Sequence, residues 1–75
     1  MSTSPNDRIV ALLSRWLARH IGDDELLRQL TGLGTDGLSP GDAEAVGELT
    51  ADLRAGRRHG ELEVAVRETL EALTD

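Results

Sequence analysis

Gly32, Gly34 and Gly37 spell G-x-G-x-x-G within the stretch Thr31-Gly-Leu-Gly-Thr-Asp-Gly-Leu-Ser-Pro-Gly-Asp42. That spacing cradles a dinucleotide pyrophosphate when a strand leads into it and a helix opens inside it. Here a helical pattern precedes the glycines, and Gly37 falls ahead of the next helix start instead of within its first turn. The stretch therefore reads as a mobile helix–helix joint that uses glycine for left-handed backbone, with Leu33 and Leu38 expected to pin it to the core.

The other reactive side chains are as sparse. His20 falls toward the inward side at the end of the first helical segment, and His59 sits in the turn Arg57-Arg58-His59. The two histidines do not form a metal-ligand spacing, and the chain has no cysteine to complete one or to form a disulfide. Ser4 and Ser39 both precede proline and are accounted for as helix caps, while nothing around Ser14 marks a nucleophile elbow. Neither an enzymatic activity nor a cofactor is implied. Arg54, Arg57, Arg58 and His59 form the one basic cluster, placed where a helix C-terminus attracts cations.

The acidic residues carry the stronger signal. Asp23, Asp24 and Glu25 cluster at one helix start, and Glu44, Glu48 and Asp52 recur at i, i+4, i+8 along the third segment. Glu61, Glu68, Glu71 and Asp75 belong to the fourth. The candidate partner-binding set is Asp23, Asp24, Glu25, Glu44, Glu48, Asp52, Glu61 and Glu68. Charged faces of this kind solvate a bundle, and they also complement a basic protein site that ordinarily receives nucleic acid.

Composition narrows the classes further. Fourteen acidic residues oppose eight basic ones, for a net charge of −6, which repels phosphate and disfavours nucleic acid as a partner. Trp16 is the sole aromatic residue, so the chain offers no base-stacking platform. All eight basic residues are arginine, a bias shared with high-GC genomes such as those of actinobacteria. The start has no basic-then-apolar leader and no apolar run approaches membrane length, so the expected location is cytoplasmic. Seventy-five residues suffice for one small domain, with stability on the order of 3–5 kcal/mol and no room for a deep cavity.

Four helical segments must position these groups, at about 5–21, 24–31, 40–55 and 61–73. Ser4-Pro5-Asn6-Asp7 opens the first, and Ile9, Leu12, Leu13, Trp16, Leu17 and Ile21 follow the i, i+3, i+4 template up to a stop at Gly22. Asp23 is expected to cap a short second helix carrying Leu26, Leu27 and Leu30. Ser39-Pro40 opens the third, with Ala43, Val46, Leu49, Thr50 and Leu53 inward and Gly56 closing it. Leu62, Val66, Thr69, Leu70 and Leu73 line the fourth, with Glu63–Arg67 and Arg67–Glu71 paired on its wet face. No segment alternates with period two. The expected fold is all-α, a small antiparallel four-helix bundle with a short second helix and Trp16 at its centre.

Leu38-Ser39-Pro40, Gly47-Glu48-Leu49 and the closing run from Gly60 to Leu73 resemble the colicin D immunity-like family. The likeness covers roughly the second half of the chain. The chain is shorter than that family's pattern between the third and fourth helices and lacks its aromatic residues there. The resemblance implies a helical bundle that blocks a tRNA-cleaving toxin by offering acidic groups where the toxin expects RNA. No toxin-contacting residue of the family maps onto a matching motif, so the acidic set rests on charge alone. The expected function is thus a non-enzymatic protein-binding module, an immunity protein against a basic nuclease. The alternative is a small cytoplasmic adaptor or homo-oligomeric regulator, which predicts an exposed apolar patch.

Overall fold

Two Ser-Pro steps set the frame. In a computed structural model that describes residues 4–74, Ser4 and Ser39 hold extended backbone and accept through their hydroxyls from the N–H groups of Asp7 and Asp42, at 3.2 and 3.3 Å. Each proline then occupies the first helical position, where its fixed φ fits and its missing N–H costs nothing. These caps open α1 (Pro5–Leu17) and α3 (Pro40–Arg54). Between and after them lie α2 (Asp23–Leu33), the shortest of the four, and α4 (His59–Thr74).

The helices form a ring in which α1 packs on α2 and α4, and α3 packs on the same two neighbours, most extensively on α4. Each follows its neighbour in the opposite direction. Asn6, at the start of α1, donates to Asp42 at the start of α3 and to the Leu73 carbonyl at the end of α4. At the far end, Trp16 near the close of α1 meets Asp23 and His59 at the starts of α2 and α4. The chain is thus an all-α, antiparallel four-helix bundle with no strand among the described residues.

The apolar stripes close on one another as the periodicity predicts. Ile9, Leu12, Leu13 and Trp16 of α1 meet Leu26 and Leu30 of α2, Val46, Leu49 and Leu53 of α3, and Leu62, Val66 and Leu73 of α4. Each fully buried aliphatic side chain in this set stabilises the fold by roughly 1.5–3 kcal/mol. Leu17, Ile21, Leu27, Leu38 and Leu70 pack partly buried around it. Thr69 is buried with the core and satisfies its hydroxyl on the Ala65 carbonyl at 2.8 Å, so it needs no water.

Helix ends depart from expectation more than helix starts. α1 stops at Leu17 instead of running to 21, because Arg19 turns into the left-handed region at φ 64°. The His20 N–H then returns to the Arg15 carbonyl and the Arg19 N–H to Trp16, which closes a Schellman motif. His20 consequently lies outside the helix and exposed, not on its inward side. Gly22 is not the stop of α1 but the N-cap of α2, and it has no side chain to bond with. Asp23 is therefore the first helical residue, and not the cap.

α3 ends with the same Schellman geometry as α1, and here the left-handed residue is Gly56 at φ 69°, close to its expected position. α4 begins at His59, ahead of the expected 61, so Gly60 lies inside the first turn. In the connection between α2 and α3, Gly34 and Gly37 do take positive φ, at 68° and 85°. A side chain at position 37 would press its Cβ to 3.0 Å from the Pro5 ring, so glycine there lets the loop lie on the start of α1. Leu38 packs against the core as expected, whereas Leu33 is exposed and lies outside the buried core.

Candidate functional site

The G-x-G-x-x-G letters form no phosphate cradle. Gly32 lies inside α2, Gly34 terminates it, and Gly37 precedes the Ser39 cap, so no helix N-terminus faces the glycines at the register the motif requires. Ser4 and Ser39 are engaged as caps. Among the described residues, no group of three or more His, Cys, Asp and Glu side chains is arranged to hold a metal ion.

The acidic residues separate into two sets. The helical repeat of α3 carries Glu44, Glu48 and Asp52 along one face, and the antiparallel run of α4 brings Glu68 opposite. Glu48, Asp52 and Glu68 line one surface groove between these helices. Its remaining lining is Ala45, Leu49, Ala65 and Thr69, small or apolar side chains that leave the carboxylates standing as its rim. Of the three, Asp52 has a cation nearby, the Arg57 Nε at 3.7 Å. Glu44 is exposed one turn before Glu48.

The second set occupies the first turns of α2 and α4 and is largely engaged with the fold. Asp23 Oδ1 accepts from the indole N–H of Trp16 at 2.7 Å. Glu25 pairs with Arg28 three residues later. Asp23, Asp24 and Glu25 together occupy the first turn of α2, where negative charge complements the dipole of a helix whose Gly22 cap supplies no side chain. Glu61 does the same in the first turn of α4 and remains exposed. The structure therefore brings together Glu48, Asp52 and Glu68 in one groove, whose lining does not include Asp23, Asp24, Glu25 or Glu61.

One arrangement has no local signal in the sequence. Trp16 is buried at 3% exposure, and the exposed His59 ring stacks on its face with centroids 5.1 Å apart and planes inclined by 30°. Beside this stack opens a cleft lined by Trp16, Leu17, Arg19, His59, Glu63 and Arg67. Glu63 bonds Arg67 at 2.8 Å, the first of the two pairs expected on the wet face of α4. A buried indole N–H requires an acceptor, and a carboxylate at the start of the following helix was the readable clue to Asp23. Nothing in the spacing of His59 announces its stack.

Among the described residues, no helix is long and apolar enough to cross a membrane. No protein-family model matches the chain, and no curated protein or solved structure is significantly similar to it.

Proposed function

We propose that this chain is a non-enzymatic protein-binding module of the immunity type, one that lays the acidic α3–α4 face on a basic nuclease toxin. The observation that carries the reading is the convergence of Glu48, Asp52 and Glu68 on one groove, with Glu44 one turn away on α3. A groove with a floor of Ala45, Ala65 and Leu49 accommodates the aliphatic stem of an arginine or lysine, and the rim carboxylates receive its charged head. Glu48 and Glu68 are exposed in the free chain, so complementary charge accelerates encounter and selects a basic partner over an acidic one. The resemblance to the colicin D immunity-like family adds the class of partner, a tRNA-cleaving enzyme whose active cleft is basic. Asp24 and Glu61 are peripheral contacts in this account, and Asp23 is reserved for Trp16.

The test is affinity capture from the native host with wild-type chain and with the double variant E48R/E68R as parallel baits. Retention of a basic nuclease by the wild type, with its loss from the variant, supports the reading. Capture of no basic nuclease, or equal capture by both baits, refutes it. The adaptor or homo-oligomer alternative finds less support. Leu33 and Val64 are the large exposed apolar side chains among the described residues, they lie toward opposite ends of the bundle, and Trp16 is enclosed in the core.

A further inference from the structure

We propose that the cleft at the α1–α4 corner binds a small oxyanion, a phosphate or carboxylate group held between the guanidinium groups of Arg19 and Arg67 beside the His59 ring. The site is separate from the α3–α4 groove, and the inference does not depend on the function proposed for that groove.

The argument rests on what lines the cleft. Arg19 follows the end of α1, and His59 and Arg67 belong to α4, so two separate segments bring basic residues to one depression. Glu63 is the one carboxylate in the lining, against two guanidinium groups. It bonds Arg67 through a single guanidinium nitrogen, which leaves the other donors of that fork free to turn toward a ligand. The local balance is positive in a chain whose net charge is −6.

The floor favours the interaction. Trp16 is fixed by its bond to Asp23 and covered by His59, and Leu17 is half-buried beside it. An apolar floor lowers the dielectric on one side of the cleft and strengthens attraction between a guanidinium and an oxyanion. Planar guanidinium groups suit the paired oxygens of phosphate and carboxylate better than a point charge does.

The surroundings limit the ligand's size. Asp24 and Glu61 stand exposed at the same end of the bundle, where their charge disfavours an extended polyanion more than a single oxyanion. Arg57 is turned toward Asp52 and does not extend the positive surface. The backbone at Arg19 is consistent with this use: the equivalent position after α3 is Gly56, so the turn alone is served by glycine.

The chain supplies its own probe, because Trp16 is its sole aromatic residue and forms the cleft floor. The experiment titrates the full chain with inorganic phosphate, and separately with acetate, at ionic strength held constant with sodium chloride. Trp16 emission and the amide shifts of Arg19, His59 and Arg67 are followed. Saturation is expected with at least one anion, with a dissociation constant on the order of 1 mM, and the stronger of the two identifies the source chemistry. R19G, which suits the left-handed backbone and so keeps the fold, and R67Q are each expected to weaken binding about three- to tenfold. R28Q, on α2, is expected to leave it unchanged. Linear, unsaturable responses to both anions overturn the site, as does saturation that R19G and R67Q leave unaltered.

Discussion

The indole N–H of Trp16 donates to Asp23 Oδ1 at 2.7 Å and so ties the end of α1 to the first turn of α2. Because Trp16 is almost fully enclosed, removing that acceptor leaves an indole N–H without its partner. Asp23→Ala is expected to destabilise the chain by about 1–3 kcal/mol, with Asp23→Asn costing less because an amide oxygen still accepts. Urea unfolding followed by Trp16 emission measures both.

Arg19 and Gly56 occupy the same position in two Schellman motifs, at φ 64° and 69°. A Cβ in that region is unfavourable by about 1–2 kcal/mol, so the two exchanges carry opposite signs. Arg19→Gly is expected to raise the thermal midpoint and Gly56→Ala to lower it. Equal effects in calorimetry would dissociate the turn geometry from stability.

The hydroxyls of Ser4 and Ser39 each satisfy one N–H in the first turn of a long helix. Ser4→Ala and Ser39→Ala are each expected to cost about 1 kcal/mol in chemical denaturation. Substitution by glycine is expected to cost only a few tenths, since glycine keeps the extended cap backbone.

Leu13 has no exposed surface and lies in the centre of the four-helix core. Leu13→Ala is expected to cost about 2–5 kcal/mol, a loss comparable to the whole stability of a domain this small. Circular dichroism of the variant is expected to show a largely unfolded chain at room temperature. Val64→Ala, on an exposed position of α4, is expected to retain the wild-type spectrum.

Legibility in the sequence followed the range of the interactions. The starts of α1 and α3 were readable because a Ser-Pro cap is local and its bonds span three residues. The end of α1 was not, because its terminator is arginine at 19, a residue that helices otherwise favour. The start of α4 lies ahead of its local signal because Gly60 has poor helical propensity, which tertiary packing of the neighbouring His59 on Trp16 overrides. On the candidate face, the i, i+4, i+8 repeat gave the α3 acids, whereas their meeting with Glu68 depends on how α3 and α4 are registered. The sequence presents Asp23 as a helix cap within an acidic cluster, because its bond to Trp16 crosses a turn whose shape Arg19 sets.

The measurement that tests the central proposal most directly is inhibition of the captured nuclease. Its RNA-cleaving activity is assayed against increasing wild-type chain and against E48R/E68R, with folding of both verified by circular dichroism. The account predicts stoichiometric inhibition by the wild type that weakens with added salt, and a loss of inhibition in the variant of about tenfold or more. A folded E48R/E68R chain that inhibits as well as the wild type would contradict it.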